Sequence, residues 1–387
     1  MKELELIGHE VDKLRASGKR AVLATVVDIA GSSYRLPGAR MLIADTQWTA
    51  GSVSGGCLEG DVVLRAREVL DNHRALVVTY DTTSDEDIVF GVGLGCRGVI
   101  RVLIEPVTPQ PATPDLVEFI RHCIESRETG LIATVIRAEG NTRAMPASRL
   151  TRKVNGEVQS NIADAELDAK LAAFVARAQP SDPSQTVRFP LAQGEAEVFI
   201  ETIRPPLPLL IAGAGHDALP MARIAKDLGW RVTVIDHRPA YATRERFPWV
   251  DEVIVAPPSE IPERVRLDSG TVALVMTHNY LRDLEALKAL LPSAVRYIGL
   301  LGPKRRAGEL IAELEKQSIT LTPEQRERLY APVGLDLGAE GPEGVALSVL
   351  AEIQAVVAGR TPGHLRERKG SIHGLAQPAP QRAPIQA

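Results

Sequence analysis

Short apolar runs dominate the first hundred positions, and their period sets the elements. RAVLATVVDI (20–29) is β-branched, continuous and closed by Gly31-Ser32-Ser33, which predicts a buried strand. ARMLIAD (39–45) and WTAGSV (48–53) predict two more, joined by a tight turn at Thr46-Gln47. In LEGDVVLRAREVLD (58–71) the spacing becomes helical, at Leu58, Val62, Arg65-Ala66 and Val69-Leu70. RALVVTYD (74–81) and GVIRVLIEP (98–106) return to strand. Between them runs DTTSDEDIVFGVGLGCRG, a glycine-rich stretch of a length that compact domains usually reserve for function. A charged amphipathic helix, MKELELIGHEVDKLRASG, comes before all of these.

The pattern then repeats. AVLATVVDIAGSSYRLPGARML (21–42) lies against GLIATVIRAEGNTRAMPASRLT (130–151) at an offset of 109, with Gly31, Pro37 and Arg40 matching Gly140, Pro146 and Arg149. GSVSGGCLEGD (51–61) faces GEVQSNIADAE (156–166), and GVIRVLIE (98–105) faces GEAEVFIE (194–201). The expectation is an N-terminal α/β domain, 1–205, built from two related units at 1–107 and 108–205. The second unit carries Ser160-Asn161-Ile162 opposite Gly55-Gly56-Cys57, and Ala192 opposite Cys96, so the unit folds without either Gly-Cys loop. That favours a functional reading of those loops.

RPPLP (204–208) marks a boundary, after which strands and helical segments alternate: LPLLIAG, HDALPMARIAKDLG, WRVTVID, DEVIVAP, TVALVMT, LRDLEALKALL and VRYIGLLG. This predicts an α/β, Rossmann-like, doubly wound parallel sheet over 206–374. QPAPQRAPIQA (377–387) is Pro/Gln/Ala-rich, and a disordered tail is expected over 375–387.

Composition narrows the function. The 387 residues are 44% apolar and 24% charged, with a net charge of −4, and the pI is near 6.1. That balance gives no reason to expect nucleic acid or an anionic membrane as partner, and aromatics at 4% are too few for base stacking. No apolar run approaches the roughly 18 residues a membrane span needs, and a cytoplasmic protein is expected. Cys57, Cys96 and Cys123 make no disulfide framework and lack zinc-ligand spacing.

Gly213-Ala214-Gly215-His216-Asp217-Ala218 fits GxGxxA between a strand and a helix, and Asp236 ends the next strand. Gly213 permits the tight turn, Gly215 lets backbone N–H groups approach a phosphate, and Asp236 could take a ribose hydroxyl. Gly302-Pro303-Lys304-Arg305 opens another helix, with Pro303 expected at its first position, and offers a second anion clamp or a solvated basic helix start. His278 follows a strand where such folds place ligands, and is equally consistent with a structural histidine. Cys57 stands behind Gly55 and Gly56 at a predicted helix start, a setting that favours a thiolate and leaves the approach open. It reads as a thiolate ligand, a sulfur acceptor or a nucleophile; the alternative is a small buried cysteine in a tight turn. Cys96 is weighed in the same way. Glu59 is a first-turn helix charge or a ligand contact. Cys123, within LVEFIRHCIES, reads as core.

At these residues the chain resembles the XdhC/CoxI family of molybdoenzyme accessory proteins. The N-terminal signature is GSSYRLPGARMLI, AGSVSGGCLEGDVV and FGVGLGCRGVIRVLIEP; the C-terminal one is LLIAGAGHDALPMARIAKDLGWRVTVIDHRPAYATRERFP, MTHNYLRDL and YIGLLGPKRR. The resemblance implies binding of molybdenum cofactor (molybdopterin), exchange of an oxo for a sulfido ligand with a cysteine desulfurase as sulfur donor, and delivery to an apo molybdenum hydroxylase such as xanthine dehydrogenase. It further implies that Cys57 and Cys96 are the family's glycine-flanked cysteines, able to contact the cofactor molybdenum, although Arg97 stands where some members carry glycine. The cofactor phosphate is expected on Gly213–Asp217, helped by Lys304 and Arg305, with the molybdenum end toward Cys57 and Cys96. Two alternatives are an NAD(P)-dependent oxidoreductase and a docking protein without ligand. A homodimer is the expected assembly. Three scattered cysteines are too few for the iron–sulfur clusters of xanthine dehydrogenase itself.

Overall fold

The computed structural model describes residues 2–31, 33–45, 47–81, 98–107, 113–179 and 182–368. The chain divides into two compact units, Met1–Pro205 and Pro206–Ala387.

The first unit opens with α1 (Lys2–Ala16), followed by β1 (Ala21–Gly31), β2 (Arg40–Ala44), β3 (Gln47–Gly51), α2 (Glu59–Asn72), β4 (Leu76–Asp81) and β5 (Gly98–Val107). Its strands form an antiparallel sheet in the order β3-β2-β1-β5-β4. Alternation along β1 divides the core: Val22, Ala24 and Val26 face Val62, Ala66 and Leu70 of α2, while Leu23 faces Ile7, Val11 and Leu14 of α1. β3 stops at Gly51 rather than running to Val53, because the N–H groups of Val53 and Ser54 leave the ladder for a side chain described below.

A second sheet follows from α3 (Leu116–Ser126), β6 (Gly130–Gly140), β7 (Arg149–Arg152), β8 (Val158–Ser160), α4 (Ala165–Arg177), β9 (Gln185–Leu191) and β10 (Gly194–Ile203). Its order, β8-β7-β6-β10-β9, repeats that of the first sheet, and it too is antiparallel. Leu167, Leu171 and Val175 of α4 pack on Leu131, Ala133 and Val135. Each sheet carries a bulge in its central strand, at Val27 in β1 and Ile136 in β6. Val27 and Ile136 meet Leu103 and Phe199 in a small buried cluster that joins the two sheets.

The second unit comprises β11 (Pro208–Ala212), α5 (Ala218–Asp227), β12 (Arg231–Asp236), β13 (Glu252–Val255), α6 (Ile261–Arg264), β14 (Val272–Val275), α7 (Tyr280–Leu290), β15 (Tyr297–Leu300), α8 (Lys304–Lys316), α9 (Pro323–Glu327), β16 (Leu329–Tyr330) and α10 (Gly341–Val357). Its six strands are parallel in the order β13-β12-β11-β14-β15-β16, the doubly wound Rossmann arrangement. Leu209 and Ile211 face α5 and α10, while Leu210 and Ala212 face α7 and α8. Buried on both faces, these strands need the near-continuous apolar runs the chain supplies.

Candidate functional site

In the first unit the candidate loop is organised by Ser54. The Glu59 carboxylate accepts the N–H groups of Val53 at 3.2 Å and Ser54 at 2.8 Å, and the Ser54 hydroxyl donates to its other oxygen. The Ser54 Oγ in turn accepts the N–H groups of Gly56, Cys57 and Leu58, each at 3.1 Å. These lie just ahead of α2, where backbone donors lack helical partners. Glu59 is only 4% exposed. Burial alone would raise its pKa, but the Ser54 hydroxyl and the two N–H groups outweigh that and hold the carboxyl below the ordinary glutamate range.

Cys57 stands at the edge of this network. Its thiol donates to Ser54 Oγ at 3.4 Å and is otherwise exposed. Gly56 adopts φ +112°, a conformation that L side chains rarely take, and a Cβ there would meet nothing within 4 Å among the described residues. Gly55 borders the exposed Tyr34 ring, 3.6 Å from where its Cβ would stand. Cys96 and most of the glycine-rich stretch around it lie outside the described residues. Cys123 is buried against α1 and Ile132; burial pushes its thiol up to about 12.

In the second unit, Gly213 makes the turn after β11 with φ +122°, and a Cβ there would lie 2.4 Å from the Met276 carbonyl oxygen. The adjacent Ala214 N–H donates to Asp236 Oδ2 at 2.7 Å. Asp236 also accepts Arg238 Nε at 2.9 Å, Nη2 at 2.7 Å and its backbone N–H at 2.9 Å, with His237 Nδ1 at 3.3 Å. Burial would raise the Asp236 pKa, yet these donors, Arg238 foremost, draw it below the usual carboxylate range. Arg246 holds the loop from its carbonyl side, donating to Ala214 and Tyr241 at 2.7 and 2.9 Å. The Tyr241 ring carries both guanidinium groups, at 3.9 Å for Arg238 and 4.9 Å for Arg246.

Asp217 and His278 meet at the sheet's C-terminal edge, with Nε2 and Oδ2 2.7 Å apart. Here β11 and β14 send α5 and α7 to opposite faces, the switch point where doubly wound folds open a crevice. His216 is exposed beside them. A Cβ on Gly215 would lie 2.6 Å from Asp217 Oδ1 and 3.6 Å from the His278 ring, so this glycine makes room for the pair. His278 takes φ +58°, held between Thr277 and the Asn279 cap of α7. Behind it, buried Asp283 receives Thr277 Oγ1 at 2.6 Å and the Arg306 guanidinium. Arg306 packs over Gly302, whose φ is +139°. Pro303 is the N-cap of α8, not its first residue. Lys304 and Arg305 are exposed in the first turn, and Arg305 pairs with Glu309 at 3.2 Å.

Ser54, Asp283 and Arg246 belong to no catalytic or binding motif that the sequence displays. Ser54 carried one signal: a hydroxyl five residues before an acid at a predicted helix start. Asp283 and Arg246 act through tertiary contacts that no local pattern marks. Among the described residues no group of three or more His, Cys, Asp or Glu side chains could hold a metal ion, and no helix is long and apolar enough to cross a membrane.

Residues 209–353 match the family model for the XdhC Rossmann domain, and residues 14–81 that for the XdhC and CoxI family. The chain is 34% identical over 343 residues to a probable xanthine dehydrogenase subunit of Bacillus subtilis, covering 89% of this chain and 95% of that protein. It is 25% identical over 340 residues to the molybdenum cofactor insertion chaperone PaoD of Escherichia coli, covering 88% and 84%. The crystal structure of a xanthine dehydrogenase from Bacillus halodurans superposes with a TM-score of 0.72 at 28% identity, covering 92% of this chain and 96% of the other. On the strength of near end-to-end similarity and of matches in both units, the chain belongs to the XdhC and CoxI family.

Proposed function

We propose that this chain is a maturation accessory protein that binds molybdenum cofactor, supports its sulfuration and inserts it into an apo molybdenum hydroxylase such as xanthine dehydrogenase. The observation that carries the reading is the Cys57 thiol, exposed on a loop whose backbone donors are already taken up by Ser54 and Glu59. Such a loop presents sulfur without having to reorganise. The similarity to a molybdenum cofactor insertion chaperone supports the same role. The cofactor, when bound, supplies a molybdenum centre that accepts thiolate and sulfide ligands. Cys57 serves as thiolate ligand or sulfur acceptor, with Cys96 as its companion, and Gly55 and Gly56 leave the approach open. Ser54 and Glu59 hold that loop in place. In the second unit Gly213, Gly215, His216, Asp217, His278, Gly302, Lys304 and Arg305 serve as that unit's own cofactor-binding residues. The sulfur donor is a cysteine desulfurase, the assembly a cytoplasmic homodimer, and the two N-terminal sheets products of an internal duplication over 1–107 and 108–205.

Asp236 is poorly placed to hold a dinucleotide. Asp236, the residue a ribose would need, already accepts from Ala214 and three times from Arg238. With about four acceptor positions on a carboxylate, none is left over.

Co-expression with cofactor synthesis, then mass spectrometry of the released pterin and activation of an apo-hydroxylase, tests the proposal. Wild type should carry pterin and activate its client; Cys57→Ala should fail in activation while folding normally. Unchanged pterin content and unchanged activation in the variant would remove the thiol from the mechanism.

A further inference from the structure

The two sheets of the first unit offer a comparison in which one atom differs. Around Arg40 and Arg149 the backbone is the same: Gly38 N–H donates to Val26 and Ala147 N–H to Val135, both at 2.8 Å, while Val26 and Val135 donate to Ala39 and Ser148, both at 2.9 Å. Both positions have positive φ, +95° at Gly38 and +68° at Ala147. The ion pairs differ. Glu201 grips Arg40 with both oxygens, and a Cβ on Gly38 would lie 2.7 Å from Glu201 Oε1. Ala147 carries that Cβ, and Glu105 reaches Arg149 through Oε2 alone. One methyl group keeps the second pair half open.

A cavity of about 200 Å³ stands at the half-open pair. Arg149, 4% exposed, spends Nε and Nη2 on Ala147 and Glu105 and, among the described residues, leaves Nη1 without a partner. Glu105 Oε1 is likewise unengaged. Asn161 accepts the Arg149 N–H at 2.7 Å and keeps its amide NH₂ uncommitted on the same wall. Arg15 and Asp115, paired at 2.6 Å, complete the polar lining, so its formal charges cancel. Leu23, Pro106 and Val117 supply apolar wall.

We infer that this cavity binds a small, neutral, planar heterocycle through a lactam edge, the ring C=O accepting from Arg149 Nη1 and Asn161 and the neighbouring N–H donating to Glu105 Oε1. A simple carboxylate would meet Glu105 as a like charge, and an ammonium would meet Arg149. An apolar cavity of roughly 150 Å³ takes benzene, so this one admits one ring or a fused pair. Pterins and purines share this edge. Cys57 takes no part in this contact.

Calorimetric titration of the full chain with pterin, hypoxanthine and benzoate tests it. Wild type should bind a lactam, pterin more tightly if the ring belongs to a pterin cofactor and hypoxanthine if to a purine, with benzoate at least about tenfold weaker. Ala147→Gly lets Glu105 close as Glu201 does, and should weaken lactam binding at least about tenfold without lowering the melting temperature. Asn161→Asp keeps the oxygen that Arg149 needs, replaces the donor and should lose affinity similarly. Cys57→Ala should bind lactam as wild type does. Binding of neither lactam, preference for benzoate, or unchanged affinity in Ala147→Gly would overturn the inference.

Discussion

Arg40 and Glu201 stand 161 residues apart and meet in a buried, two-pronged ion pair, with Nη1 reaching Oε1 at 2.8 Å and Nη2 reaching Oε2. The arginine comes from β2 of the first sheet and the glutamate from β10 of the second; Arg149 of β7 and Glu105 of β5 return the exchange. Burial by itself would make the Arg40 guanidinium easier to deprotonate, but Glu201 more than offsets this and holds its pKa above the ordinary value. Each sheet thus lends the other a charge it could not bury alone.

Removing one partner should therefore cost far more than removing both. Glu201→Gln preserves shape and leaves Arg40 charged and uncompensated, a loss of about 3–5 kcal/mol. The double variant Arg40→Met/Glu201→Leu should recover most of it. Chemical denaturation of the full chain measures both, and a single variant as stable as wild type would show the pair to be incidental.

Ser54 and Cys57 are neighbours with opposite roles, and mutation should separate them. Ser54→Ala strands three backbone N–H groups and part of the Glu59 carboxylate, costing about 1–3 kcal/mol. Cys57→Ala loses one weak thiol contact and should stay within about 0.5 kcal/mol of wild type. If thermal melts rank the two the other way, Ser54 is not the organiser of the loop.

Glu59 adds a pH signature. Its folded pKa lies below the ordinary 4.5, so the stability it contributes is fully present above that value and fades as pH falls through the folded pKa. The gap between wild type and Glu59→Gln should be constant from pH 7 to about 5 and shrink below about 4.5. A gap that widens on acidification would reverse the sign and contradict the hydrogen bonding around Ser54.

The parallel sheet is legible in the chain because both of its faces are covered, so β11, β12 and β14 read as unbroken apolar runs and Gly213 and Asp236 fall at Rossmann spacing. The antiparallel strands are legible from Val22 to Val26 and from Leu131 to Val135 for the same reason. What hides are contacts whose partners lie far apart or turn against the local period. β3 ends early because Glu59, six residues after Val53, captures that residue's N–H. Asp217 and His278 are 61 residues apart, and no spacing rule announces them. Arg238 lies only two residues from Asp236, yet its grip depends on rotamer and on Tyr241, which composition does not reveal.

Gly213 and Gly215 look alike in the sequence and should respond differently to alanine. A Cβ on Gly213 would press on the backbone oxygen of Met276 at 2.4 Å with φ fixed at +122°, and neither can yield without parting β11 from β14. Strain and overpacking together should cost about 3 kcal/mol or more. A Cβ on Gly215 meets the tip of the Asp217 side chain, which can swing aside. Gly215→Ala should therefore melt close to wild type while breaking the Asp217–His278 contact, seen as a shift of the His278 imidazole resonances. If Gly215→Ala unfolds the chain as Gly213→Ala does, the second glycine serves packing; if it folds with the His278 resonances unmoved, Asp217 does not position that ring.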